Sequence, residues 1–133
     1  MRNIKIPGIY KHFKGALYAT SFISEPITSE EFMEKVKTNG GWTKVIPLLI
    51  NAKFTEGEYY VRVIKIANKY YHEHADCEEL KKKLVGYVGI TNPVNWVWLR
   101  PLDMFMSPVD KEKYPTVTQE FRFEYVEGVW KKC

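Results

Sequence analysis

The sequence predicts an α+β fold, mainly antiparallel β, built as a small curled sheet or partly open barrel with an inserted helical segment. Three observations carry that expectation. Short apolar runs alternate with period two between turn residues, as half-buried strands do. Aromatic residues make up 15% of the chain, which favours strands over a helical bundle. One capping-box spacing, Thr28 to Glu31, opens the only well-marked helix.

The first alternating stretch, residues 9–15, puts Ile9, Lys11 and Phe13 on one face and Tyr10, His12 and Lys14 on the other, with Gly15 closing a turn into a second strand at 17–23. In the helix that follows, Phe32, Met33 and Val36 supply the apolar stripe and residues 39–41 end it. Residues 42–51 are ambiguous, because Pro47 points to an edge strand or irregular cover. The best-marked strand spans 59–67, where the alternation slips phase after Val63 and predicts a bulge or strong twist. Residues 68–77 read as a polar stretch. In the next segment Glu78 and Glu79 are spaced to pair with Lys82 and Lys83 on one or two helical turns. A strand at 84–90 then leads through Thr91, Asn92 and Pro93 into a hairpin with the densest apolar run of the chain, residues 94–106.

That run changes character halfway. Trp96, Trp98 and Arg100 alternate with Val97 and Leu99, Pro101 stops the ladder, and Leu102, Phe105 and Met106 recur at one-turn spacing as a plug over the sheet end. A charged loop at 107–115 and a last strand at 120–126 complete the series, with Phe121, Phe123 and Tyr125 facing in.

At 133 residues the chain is expected to be a single domain, 1–133, with residues 16–57 as the inserted helical segment. The net charge of +4 is too small to select a polyanionic partner by itself. Cys77 and Cys133 do not form a disulfide framework, and no apolar run reaches the ~20 residues that cross a bilayer. A cytoplasmic protein without a membrane partner is expected.

Four stretches occur in order: Tyr10 to Gly15 (YKHFKG), His74 to Glu79 (HADCEE) before Leu84, Trp98 to Phe105 (WLRPLDMF), and residues 110–115 leading to Arg122 and Phe123. Together they resemble a small bacterial and phage family, domain of unknown function sixteen-fifty-three, whose members carry Y-(R/K)-H-x-K-G, H-S-E-T-x-E, V-x-Y, W-V-R-P-x-x-M-F and a closing R-F. The resemblance implies no activity. It does imply that Tyr10, His12, Lys14, His74, Asp76, Arg100 and Arg122 are the polar positions of the motif. Where the family passes from its K-G directly to the second strand of its pattern, roughly forty residues, about 16–57, intervene here, and Cys77 stands where the family has threonine.

The function expected from these residues is noncatalytic binding of a small anionic, nucleotide-like ligand, with a phage-type sponge for a signalling nucleotide as one form of it. Lys14, Arg100 and Arg122 would hold phosphate or carboxylate oxygens, and Tyr10, Tyr87, Trp96 and Trp98 would stack on a planar ring, beside His12, His74 and Asp76. The bland alternative pairs the two arginines with Asp103, Glu124 or Asp76 as ties between strand ends. A second function class is a small hydrolase or metal enzyme using residues 72–77, but the helix that would fix a zinc site is missing from the pattern, so no metal, cofactor or catalytic residue is assigned. A third is an interaction domain for protein or single-stranded nucleic acid. Nucleic acid is disfavoured, because Lys11, Lys14, Lys81, Lys82, Lys83 and Lys111 are scattered among acids. Phe32, Val36 and Trp42 would offer a surface for a homodimer.

Overall fold

The alternating runs become eight strands in a computed structural model that describes residues 3–45, 48–74 and 77–127. They are β1 (Gly8–His12), β2 (Leu17–Ile27), β3 (Leu48–Phe54), β4 (Tyr59–Ile66), β5 (Lys69–Glu73), β6 (Leu84–Gly89), β7 (Val97–Pro101) and β8 (Phe123–Tyr125). Helix α1 (Ser29–Thr38) follows β2, a 3₁₀ turn (Glu78–Lys81) follows β5, and a one-turn helix α2 (Leu102–Phe105) follows β7.

The expected curl goes to completion. Neighbours run β5-β4-β3-β7-β6-β2, and β5 pairs again with β2, so six strands close into a barrel. Closure removes the exposed edges that an open sheet would present. The barrel is mixed: β2 with β5 and β3 with β7 are parallel, and its other pairings are antiparallel. Strand β2 belongs to two structures. Its first half pairs with β1 (Gly8↔Thr20 to Lys11↔Leu17), its second half with β5 (Ser24↔Tyr70 to Ile27↔Glu73), and a register shift between Thr20 and Phe22 bends it from one to the other. Strand β8 then pairs onto β1.

Three apolar clusters follow from this topology. Phe22, Ala52, Phe54, Val61, Val63, Leu80, Leu84 and Leu99 fill the barrel. Ile27, Val36, Val45, Ile64, Ile66 and Tyr71 lie against α1. Tyr10, Val85, Tyr87, Phe105 and Phe123 form the third, where β1, β8 and α2 cover the outer face of β6.

These clusters correct several expectations. The phase slip in β4 is not a bulge: its pairing with β3 is unbroken from Leu48↔Lys65 to Phe54↔Tyr59. Val61 and Val63 face the barrel interior, while Ile64 and Ile66 face outward beneath α1. Strand β3 is no edge strand, since it pairs with both β4 and β7; Pro47 itself lies outside the described residues. The polar stretch after β4 is a strand, β5, entered through left-handed Ala67 (φ 52°) and Asn68 (φ 65°). Residues 16–57 hold α1, yet they also hold β2 and β3, two walls of the barrel. The lysines after the 3₁₀ turn reach other partners, Lys82 to Asp103 at 3.5 Å and Lys83 to Glu25 at 3.9 Å, and Glu78 pairs with Lys81 at 2.8 Å. The last strand is only Phe123–Tyr125, Phe121 forming a single bridge to Pro108.

The helix forms where the capping box placed it. Glu31 N–H donates to Thr28 Oγ1 at 3.1 Å, Thr28 N–H donates to Glu31 Oε1 at 2.9 Å, and the chain leaves the helix through Asn39. Val36 is buried, but Met33 is half exposed and stands outside the stripe. Among the described residues, no helix is long and apolar enough to cross a membrane.

Candidate functional site

The third cluster positions the site. Phe105 of α2 stacks flat on Phe123 of β8, with ring centroids 4.1 Å apart and planes inclined by 11°. Tyr18 stands edge-on to both Tyr87 (5.3 Å) and Phe123 (5.8 Å), and the His12 ring lies 4.8 Å from Phe123. Arg100 leans across this floor, its Cζ 5.4 Å from the Phe123 centroid, and its Nε–H donates to Tyr87 Oη at 3.1 Å. A guanidinium fixed through Nε keeps its two terminal nitrogens for another acceptor.

Arg122 and Lys14 arrive through strand pairing. His12 faces Phe123 across the β1–β8 ladder, and Phe13 N–H donates to Arg122 C=O at 2.9 Å, so the residues after β1 lie beside those before β8. Lys14 Nζ sits 5.5 Å from the Tyr114 ring centroid, a cation–π contact. Next to it, Phe13, Pro108, Asp110, Lys113, Tyr114 and Arg122 line a recess of ≈ 200 Å³. Asp110 is engaged in shaping the loop: its Oδ1 accepts from the backbone N–H of Glu112 (3.0 Å) and Lys113 (3.3 Å).

The electrostatics record how close these cations are. Burial, then the charges of Arg100, Arg122 and Lys14, lower the His12 pKa from 6.5 to about 4. The ring is therefore neutral at pH 7. Its Nδ1 accepts from Lys14 N–H at 3.1 Å, which leaves the proton on Nε2 as a donor. Burial is also the main influence on Tyr87, raising its phenol pKa against the opposing pull of Arg100.

Of the expected site residues, His12, Lys14, Arg100 and Arg122 come together. Tyr10 and Tyr87 are buried beneath them as floor: Tyr10 Oη accepts from Lys5 N–H at 2.9 Å, and its ring is edge-on to Phe105 at 5.2 Å. Trp98 borders the cluster, half-buried, and Trp96 leans on it from the far side at 5.5 Å. His74 is elsewhere: its backbone N–H donates to Ile27 C=O at 3.3 Å, and its electrostatic neighbours are His72, Glu31 and Glu78. Asp76 lies outside the described residues. The strand-tie alternative is not formed among the described residues, where Asp103 pairs with Lys82 and Glu124 Oε2 accepts from the N–H of Glu120 and Phe121. In the segment considered for hydrolysis or metal binding, His72 is inside the barrel between Ser24 and Leu80, and Cys77 packs against Tyr59. No group of three or more potential metal ligands is assembled among the described residues.

Sequence reading passed over Tyr18, Phe13, Lys113 and Tyr114 as site residues. For Tyr18 a signal was present: two positions before buried Thr20, it shares that residue's face of β2.

The family model described as "Protein of unknown function (DUF1653)" matches residues 56–125, more than half of the chain. The chain belongs to that family. No curated protein and no solved structure matches it. The DUF1653 match contains Arg100, Arg122 and Phe123 but begins well after His12 and Lys14. In this DUF1653 chain the fold supplies the missing proximity, because β1 pairs directly with β8 at the end of the matched region.

Proposed function

We propose that this DUF1653 chain is a noncatalytic binding module for a small anionic, nucleotide-like ligand, working by retention in the manner of a sponge for a signalling nucleotide. One observation carries the reading. Lys14, Arg100 and Arg122 all act electrostatically on a neutral His12, whose ring and the Arg100 guanidinium both lie against Phe123, and none of the three is ion-paired among the described residues. Unpaired cations held this close repel one another, and an anion among them removes that cost.

The recess at Arg122 has room for a phosphoryl or carboxylate group, being smaller than the ~300–1,000 Å³ of sites that enclose a whole organic ligand. Arg122 and Lys113 line it, and Lys14 stands at its Tyr114 wall. The rest of the ligand then lies over the neighbouring aromatic surface, where Tyr18 and Trp98 are half-buried and keep exposed ring area. Arg100 supplies a fork toward the same region, and His12 Nε2–H a neutral donor. A cytoplasmic setting fits such a ligand.

The test is a thermal-shift series with adenosine monophosphate, a cyclic dinucleotide and inorganic phosphate. The expected result is a concentration-dependent rise in Tm with at least one nucleotide, weakened in R122A. No shift with any of them at millimolar concentration ends the proposal.

A further inference from the structure

We propose that the outer face of β4, β3 and β7 is a track for single-stranded nucleic acid that ends at Arg100, beside the anion site, and is wider than a mononucleotide needs. The observation is a row of side chains that the barrel assembles from three separate parts of the sequence. Lys53 on β3 is the ladder partner of Tyr60 on β4 and of Trp98 on β7, and Trp98 is in turn the partner of Tyr87 on β6. Strand alternation sends these residues outward, because Phe54, Val61 and Leu99 between them fill the barrel.

The row is aromatic and cationic together. Lys53 Nζ lies 4.9 Å from the Trp96 ring centroid and 5.9 Å from that of Trp98, the two indoles meet edge-on at 5.5 Å, and Tyr60 is edge-on to Trp96 at 6.4 Å. Tyr60, the second residue of β4, is 60% exposed and so leaves its ring open to a stacking partner. The outward residues of β4, β3 and β7, Asn51, Lys53, Tyr60, Arg62, Trp98 and Arg100, include three cations and no carboxylate, and Glu73 of β5 borders the face at Arg62. The Trp96 Nε1–H has no hydrogen-bond acceptor among the described residues, so turning that indole onto a base breaks no hydrogen bond.

Charge and stacking select the occupant. A sheet face with cations set between ring faces matches a chain whose phosphates and bases also alternate, and stacking on aromatic rings requires bases that are not already stacked in a duplex. The outer faces of β4, β3 and β7 span two strand spacings, roughly 10 Å at ~4.8 Å each, and Arg100 at the end of β7 lies 5.4 Å from the Phe123 ring, next to Arg122. With the recess at Arg122 beyond Phe123, the path suits a short segment, at the lower end of the ~4–16 nucleotides bound by small barrels. Nucleic acid is disfavoured by the sequence because the lysines noticed there are scattered; Lys53 and Arg62 are not among them, and only the β3–β4 pairing makes them neighbours.

The experiment compares adenosine monophosphate, a labelled 12-nucleotide single strand of DNA or RNA and the matching duplex by fluorescence anisotropy and tryptophan quenching, across a salt series. The expected result is that the single strand binds at least tenfold tighter than the mononucleotide and the duplex, quenches tryptophan, and loses affinity steeply with salt. The double variant K53A/R62A should weaken the single strand at least tenfold and flatten its salt slope by about one to two. It should leave the mononucleotide unchanged, whereas R122A weakens the mononucleotide. A single strand that binds no tighter than the mononucleotide, a duplex that binds equally well, or a K53A/R62A protein with unaltered affinity overturns the track. If the mononucleotide fails to bind while the single strand binds through Lys53 and Arg62, the track stands and the small-ligand reading falls.

Discussion

The backbone N–H of Lys14 donates to Nδ1 of His12 at 3.1 Å, so protonating that imidazole removes its acceptor as well as adding a fourth positive charge to the group. The consequence is a pH dependence of stability. The His12 pKa falls from 6.5 in the ordinary case to about 4 in the fold, chiefly through burial. Between those values the unfolded chain holds more protons than the folded one, so stability drops as pH falls through the window and is unaffected by His12 above it. After discounting for the solvent that reaches a half-buried ring, the loss is on the order of 2 kcal/mol. Urea titrations at pH 7.5, 6, 5 and 4.5 should show it, with a shallower decline in H12Q. The decline should not vanish, because burial also lowers the pKa of His72. An unchanged slope in H12Q would mean that His12 is not the group being titrated.

Arg100 has two roles that substitution can separate. Its Nε–H occupies the Oη of Tyr87, a side chain only 2% exposed, and its charge faces the site. R100M should therefore cost about 1–2 kcal/mol of stability and about tenfold in nucleotide affinity. R100K keeps the charge and loses the fork, so binding should fall by several-fold while retaining part of its salt dependence. Equal affinity for R100M and the parent protein, measured by titration calorimetry, would remove Arg100 from the site.

Local features were legible in the sequence. The Thr28–Glu31 cap, the α2 plug and the Trp98–Arg100 face depend on residues a few positions apart, and each is present in the fold. What the sequence hid is set by distant pairing. β4 has apolar residues on both faces because the barrel lies on one side and α1 on the other, and alternation alone reads that as a slip. β5 looks polar because one of its inward residues is His72, which satisfies both ring nitrogens inside the barrel. The meeting of His12 with Arg122 needs β1 to pair with β8, whereas His74 is carried away from them by the β2–β5 seam.

That seam provides a third prediction. His72 is fully buried, its Nδ1 accepting from Ser24 Oγ–H at 2.7 Å and its Nε2–H donating to Leu80 C=O at 2.7 Å. One imidazole thus joins the closing strand pair to the 3₁₀ turn. H72A should destabilise by about 2–4 kcal/mol, from the cavity and the stranded polar partners together, and S24A by about 1 kcal/mol. Hydrogen exchange followed by mass spectrometry should show β5 and the 3₁₀ turn losing protection before β6 and β7 in H72A. Uniform loss across the barrel would mean that the seam is no weaker than the rest.

The last prediction concerns β6, the strand paired with the β2 side of that seam. A Cβ on Gly86 would overlap Phe22 Cζ and lie 2.6 Å from its Cε1 and Cε2, closer than carbon atoms approach. Phe22 cannot retreat freely, because its ring is stacked on Tyr70 at 4.4 Å and 17° inside the barrel. G86A should therefore destabilise by about 1–3 kcal/mol through overpacking. Shrinking the neighbour should relieve it: F22L alone costs stability, but G86A added to F22L should cost much less than G86A in the parent protein. A double-mutant cycle in urea reads that coupling directly. Strict additivity of the two substitutions would show that Phe22 moves aside without resistance, and the interior of the barrel would then be looser than the contact between Gly86 and the Phe22 ring requires.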